Sequence, residues 1–228
     1  MSVERFPWLN NAIRAHQKIK FPSSIIIEGE SGLAKKQLAK YFAQKLLCSD
    51  DSAPCGVCNS CNYFLAGSHP DFCFLSQDSC SSVLNTYSKA KKDALTSIKI
   101  EGVRALNDFI AMTNSVSKKR IGVVFDAHSM NINSQNALLK TLEELPENKH
   151  IFIVSNKRKY FLSTIYSRSS LISIKNPNTI DIDRWISEQG YIDFSTLNFA
   201  PDSTPLEIEY LIENDLAGQY LDISQNLN

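Results

Sequence analysis

Ser24-Ile-Ile-Ile-Glu28-Gly29-Glu-Ser-Gly32-Leu-Ala34-Lys35-Lys36 is an apolar run that breaks into a glycine-bearing turn and then opens a helical pattern. Strand, loop and helix in that order let backbone N–H groups at a helix start cradle phosphate oxygens. Against the pattern G-x-x-x-x-G-K-[ST], Gly29, Gly32 and Lys35 remain as candidate nucleotide-loop residues, with Lys35 placed for the β/γ-phosphates. Two positions depart. Ala34 replaces the second glycine, and Lys36 replaces the hydroxyl that would hold Mg²⁺. The loop indicates an ATPase scaffold without ATPase chemistry, and it leaves ATP binding doubtful.

The helix pattern that follows places Leu38, Ala39, Phe42, Ala43, Leu46 and Leu47 on one stripe, with Lys36, Lys40 and Lys45 largely off it. Where it ends, Cys48 is followed by Cys55-Gly-Val-Cys58-Asn-Ser-Cys61. Tight Cys-x₂-Cys steps let thiolates converge on one ion, and a closed four-sulfur tetrahedron around Zn²⁺ is the usual result. Cys48 and Cys73 compete for the fourth place. A ferredoxin run is disfavoured, because it needs a further Cys three residues on followed by Pro. Cys73, in Phe72-Cys-Phe-Leu75, and Cys80 read as structural.

The chain has 228 residues, 43% of them apolar and 21% charged, with 24 basic and 24 acidic side chains. That is enough for a large domain and a small one, without a whole-chain positive field to advertise nucleic acid. Clustered cysteines, no recognisable leader and no apolar run of membrane-spanning length point to a reducing cytoplasm. Strand-like segments at 24–28, 72–76, 121–125, 151–155 and 171–174 alternate with helices at about 101–113 and 134–145. Such alternation predicts a five-stranded parallel sheet flanked by helices. Residues 78–97 read as a polar surface loop. From 179 to about 220 the pattern is helical, broken by Gly190, Pro201 and Pro205, which predicts a small helical lid. The domain reading is therefore 1–176, with the cysteine module at 48–61, followed by 177–228.

Ile121-Gly-Val-Val-Phe-Asp126-Ala127-His128 resembles a Walker B strand with Asp126 placed for Mg²⁺, although a carboxylate there also caps helices. Ala127 stands where an active ATPase of this class carries the Glu that orients water. Ser134-Gln-Asn-Ala-Leu-Leu-Lys-Thr-Leu-Glu-Glu-Leu-Pro146 and Ser167-Arg168-Ser169 closely resemble the clamp-loader branch of the AAA+ ATPases. Gly67-Ser-His-Pro-Asp71 and the cysteine insertion narrow the resemblance to bacterial replicative clamp loaders. The broken loop points to the delta-prime family of DNA polymerase III rather than to its gamma/tau ATPase.

That resemblance implies a P-loop AAA+ fold and a zinc knob at Cys48, Cys55, Cys58 and Cys61. It implies that Arg168 reaches ATP bound to a neighbouring subunit, with Ser169 replacing the family's Cys. It also implies gamma/tau and delta subunits, a sliding clamp and primed DNA as partners, with no membrane. Ser155-Asn156 falls at the sensor-1 position, where strand-end capping is the favoured reading; His69 and His128 read as structural. The family's helical collar has no counterpart before Asn226-Leu227-Asn228, so a two-domain form that assembles poorly is expected. Two other readings stay open: an active ATPase using Lys35 and Asp126, and a zinc-dependent nucleic-acid binder with Lys118-Lys119-Arg120 and Lys89, Lys91 and Lys92 as basic patches.

Overall fold

The computed structural model describes residues 3–16, 21–77, 80 and 97–217. They fall into two compact units, one within Met1–Glu28 and Lys35–Ser173, the other within Gly29–Ala34 and Ile174–Asn228.

The first unit is built on five strands: β1 Ser24–Glu28, β2 Phe72–Leu75, β3 Arg120–Val124, β4 Lys149–Ser155 and β5 Ser170–Ser173. They order as β2-β3-β4-β1-β5, and every pairing is parallel. Ser24 to Glu28 run in register with Ile151 to Ser155, burying β1 and β4 along their whole length. A strand covered on both faces needs a continuous apolar run, and Ile25-Ile26-Ile27 meets that need. The five segments anticipated from sequence are these strands, with ends displaced by one or two residues. Backbone pairing, not hydrophobicity, sets those ends.

Helices among the described residues of this unit are α1 Asn10–Ala15, α2 Lys35–Leu47, α3 Asn59–Leu65, α4 Ile100–Ala111, α5 Ile132–Glu143 and α6 Ser163–Tyr166. Leu106 and Ile110 of α4 and Leu138 and Leu142 of α5 join Ile26, Leu75 and Ile153 in one apolar cluster. Period-two alternation turns Phe152 to the opposite face. There Phe21 stands 5.8 Å from the Phe152 ring and 5.1 Å from the ring of Phe42 on α2. Leu38, Phe42 and Leu47 are fully buried, each contributing about 1.5–3 kcal/mol of apolar transfer. Leu46, expected on that stripe, is only half-buried. Helix α5 begins two residues earlier than its apolar pattern, because the Asn131 side chain accepts the Ser134 N–H at 2.9 Å.

Asp71, fully buried, ends the turn before β2. Its carboxylate accepts N–H bonds from Ser115, Val116 and Ser117, each 2.7 Å, and pairs with Arg120 Nη2 at 2.8 Å. Arg120 also donates to Thr113 O and Phe109 O, and stacks 4.5 Å above the Phe109 ring. Sequence had offered Lys118-Lys119-Arg120 as a basic surface patch. The structure removes Arg120 from it, leaving that side chain 3% exposed. Burial raises and the Asp71 N–H donors lower the Asp71 carboxyl, and the donors together with Arg120 win, holding it below its ordinary value. Lys89, Lys91 and Lys92, and residues 78 and 79 and 81–96 of the polar segment, lie outside the described residues.

The second unit carries α7 Thr179–Glu188 and α8 Pro205–Glu213. Asn178 caps α7 by accepting the Asp181 N–H at 2.8 Å. Pro205 starts α8 instead of breaking a helix, since a proline at the first helical position forfeits only an N–H with no intrahelical partner.

His150 on β4 is buried, donates Nδ1–H to Pro22 O at 2.9 Å, and leaves Nε2 without a partner among the described residues. Burial pushes it down to about 4. The folded chain therefore keeps this imidazole neutral, while the unfolded chain protonates it near its ordinary value of 6.5. Stability should fall as pH drops from that value toward 4, by roughly 3 kcal/mol from this group alone. Urea unfolding across that range should show the loss, and His150→Gln should flatten it.

Candidate functional site

Three constellations hold the candidate residues. The first lies at the carboxyl ends of the parallel strands, where open α/β sheets bind ligands. Lys35, the phosphate-loop lysine, is buried at the start of α2. Asp126 follows β3 in a left-handed conformation, φ 51°. Its carboxylate caps no helix; instead it takes Lys36 Nζ at 2.8 Å. Lys36, at the position where the sequence pattern expects a hydroxyl, thus pairs with the acid that sequence reading places for Mg²⁺. His128 Nδ1 accepts the Asn156 N–H at 3.3 Å, and burial depresses its pKa, with Lys157, Lys35 and Lys36 adding to the fall and Asp126 opposing it. Ser155 Oγ accepts the Lys157 N–H at 3.0 Å and donates to Lys157 O at 2.7 Å, the strand-end cap expected at that position.

The remaining loop residues, Gly29–Ala34, belong to the other unit, and its packing explains their glycines. A Cβ on Gly29 would meet Ile174 O at 2.4 Å, and one on Gly32 would meet Thr204 Oγ1 at 2.0 Å. Gly32 O also accepts the Leu206 N–H at 3.2 Å. Ala34 keeps a left-handed φ of 57° although it carries a Cβ. The loop keeps this left-handed turn without a glycine there, and protein atoms stand against its two glycines.

The second constellation is the cysteine module. Cys48 follows α2, Cys55 and Cys58 flank the turn at Gly56, and Cys61 opens α3. Gly56 adopts φ 75°, the left-handed turn that lets two thiols face inward. The four sulfurs lie within 4.8 Å of one another, with Cys48 Sγ 3.5 Å from Cys55 Sγ and 3.8 Å from Cys58 Sγ. A tetrahedron with metal–sulfur bonds of about 2.3 Å requires sulfur separations of about 3.8 Å, so the donor set fits one such ion. Backbone N–H groups of Cys55, Cys58 and Cys61 point at the sulfurs of Cys48, Cys55 and Cys58 at 3.4–3.5 Å, which stabilises thiolate. Cys58 is brought down to about 5, first by the Ser49 N–H and then by that of Cys61, while burial pushes Cys61 up to about 12. Cys73 is fully buried in the β2 core, away from this set, so Cys48 supplies the fourth sulfur.

Sequence spacing located the cysteines but missed how they are anchored. Ser60 Oγ donates to Leu47 O at 2.7 Å and lies 2.8 Å from His69 Nε2, while His69 Nδ1 accepts the Asp71 N–H at 3.0 Å. With Nδ1 accepting, the proton resides on Nε2 and points at Ser60, so the histidine cannot act as a base toward that hydroxyl. The Ser-His contact is structural.

The third constellation is the turn after α6. Arg168 donates to Thr164 O at 3.2 Å and pairs with Glu143 Oε1 at 2.9 Å, both side chains partly exposed. Beside it opens a hollow lined by Ser167, Ser169, Ser170 and Ser24. Glu143 ends α5, so the two motifs that carried the sequence resemblance meet here.

Residues 7–178 match the family model described as DNA polymerase III, delta subunit. The subunit delta' of DNA polymerase III from Pseudomonas aeruginosa is 31% identical over 145 residues, covering 63% of this chain and 40% of that protein. Its counterpart from Haemophilus influenzae is 30% identical over 171 residues, 75% of this chain and 48% of that protein. The chain thus spans less than half the length of these two relatives. A gamma subunit-related protein of DNA polymerase III from Thermotoga maritima superposes with a TM-score of 0.47 at 20% identity, covering 90% of this chain and 58% of that one.

Gly32→Ala tests the packing account of the loop. It should lower stability by about 2 kcal/mol, through overpacking against Thr204 and the left-handed φ, in urea unfolding followed by circular dichroism.

Proposed function

We propose a structural, non-hydrolysing role for this chain, which belongs to the DNA polymerase III delta subunit family in its delta-prime branch. In this reading it is one member of a cytoplasmic clamp-loader ring with gamma/tau and delta subunits. It helps open a sliding clamp on primed DNA. The larger domain, about residues 1–176, acts as a rigid AAA+ module, and residues 177–228 as its lid.

The carrying observation is an asymmetry between two sites. The chain's own nucleotide position has Lys36 paired with Asp126 and Ala127 in place of a water-orienting Glu. Arg168, by contrast, stands at the surface with its guanidinium partly exposed. A subunit that has lost hydrolysis but keeps an outward arginine is suited to stabilise charge on a neighbour's transferring phosphoryl group. Arg168 therefore acts in trans, and in the free chain it is paired with Glu143. The isolated chain should turn over no ATP. In a ring reconstituted with its partner subunits, Arg168→Ala should slow the single site it serves by on the order of 10³-fold. Normal turnover by the mutant ring, with clamp and primed DNA present, would reduce Arg168 to a surface ion-pair former.

Cys48, Cys55, Cys58 and Cys61 hold one structural Zn²⁺ in the same reading. Such an ion contributes folding energy and no chemistry, which suits a module whose donors are all sulfur and which leaves no open coordination position. Metal analysis should return about one zinc per chain, and Cys58→Ser should lower both metal content and the melting temperature. Protein purified without chelators and found free of zinc would end the assignment.

A further inference from the structure

One departure from the phosphate-loop pattern and the acid retained after β3, 90 residues apart in sequence, are in contact: Lys36 Nζ lies 2.8 Å from Asp126 Oδ2. In a working site of this type, the residue at position 36 offers a hydroxyl to a divalent cation, and the acid after β3 holds the same cation. Both would face one ion. Here the side chain on one side of that ion has become a cation and reaches across to the other. We propose that Lys36 is a tethered substitute for the divalent metal, occupying the metal-facing side of Asp126 and excluding Mg²⁺ from this chain.

The geometry carries this beyond the loss of a hydroxyl. A serine-to-alanine change would leave Asp126 free to bind metal through water. An ammonium within hydrogen-bond distance satisfies the carboxylate and opposes any second cation. With Lys36 in place the Asp126 side chain is only 14% exposed, while the Lys36 side chain remains 51% exposed. The rest of the neighbourhood is also positive. Lys36 and Lys40 both lie about 6 Å from the Phe125 ring centre, at 5.9 and 6.0 Å, and Lys35 and Lys157 are close enough to act on His128. The carboxylate is held where it stands by its left-handed backbone, φ 51°, in the turn directly after β3. A metal-free position of this kind preserves the electrostatic balance between loop and acid that a metal would otherwise provide. It does so without nucleotide.

The inference rests on reading residues 29–36 as a degenerate nucleotide loop, but its test does not depend on hydrolysis. Mn²⁺ would be titrated against the zinc-loaded chain and bound metal read by electron paramagnetic resonance. Wild type should bind no Mn²⁺ that Asp126→Asn removes. Lys36→Thr should gain one Mn²⁺ per chain, at least about tenfold tighter than any wild-type binding, and the added Asp126→Asn change should abolish it. Lys36→Ala, which frees the carboxylate without supplying a hydroxyl, should gain a weaker site; it keeps the test valid should the Thr variant misfold. Wild-type Mn²⁺ binding that depends on Asp126, or no gain in either Lys36 variant, would overturn the proposal. ATP turnover measured on the same samples separates the two ideas. Turnover by wild type would refute the non-hydrolysing reading whatever Mn²⁺ does, and wild-type Mn²⁺ binding through Asp126 without turnover would refute only the substitution by Lys36.

Discussion

The buried carboxylate of Asp71 is the constraint around which the larger unit is organised. A charge with no solvent contact must be fully compensated, and here three backbone N–H groups and one guanidinium do it. Those donors come from the 115–117 turn and the first residue of β3, so satisfying one carboxylate fixes both. On its other side, the Asp71 N–H sets the tautomer of His69, which orients Ser60, which bonds the last turn of α2. Ser117 reaches the same Leu47 carbonyl at 2.9 Å. The cysteine module is therefore bound to the sheet by a polar chain that begins at a single buried charge.

The same economy appears at the sheet's carboxyl edge, with the opposite sign. Asp126 sits where the parallel strands converge their chain ends, a place that in related architectures collects phosphates and metals. Lys36 meets the acid, Ser155 closes on Lys157, and in the helical unit Ile174 and Thr204 stand against the loop's two glycines. The acid after β3 and the end of β4 are thus met by groups of the chain itself. The outward feature is Arg168, held by a partly exposed partner whose contribution to stability is small. An interaction that weak is easily exchanged for another anion.

Sulfur geometry shows how local rules add up to a site. Helix α2 ends one residue before Cys48, Gly56 turns the chain through a left-handed conformation, and Cys58 caps α3 by accepting the Cys61 N–H. None of these features is specific to a metal. Together they bring four thiols to spacings that match one tetrahedral ion.

Much of this protein was legible in its sequence, and the reasons are periodic. Runs such as Ile25-Ile26-Ile27 and Ile151 to Val154, short and rich in β-branched residues, read as central parallel strands, and the helical stripes of α4 and α5 match the sheet they cover. The Cys-x₂-Cys steps are short enough that spacing alone predicts convergence. Sequence was blind where the outcome depended on partners distant along the chain. It read Arg120 as part of a basic surface patch, because three successive cations look solvated until a buried carboxylate 49 residues away claims one of them. It could not decide between Cys48 and Cys73, since both lie near the cluster in number and only the burial of β2 separates them in space. It read Gly29 and Gly32 as candidate nucleotide-loop residues, without sight of Ile174 and Thr204, far along the chain, that pack against them. It recorded Lys36 and Asp126 as a missing hydroxyl and a surviving acid. Only the parallel sheet, which carries the start of α2 to the end of β3, makes them an ion pair. Local sequence sets backbone periodicity and turn chemistry, but the compensation of charge is settled by whatever the fold brings within 3 Å, and that is a tertiary property.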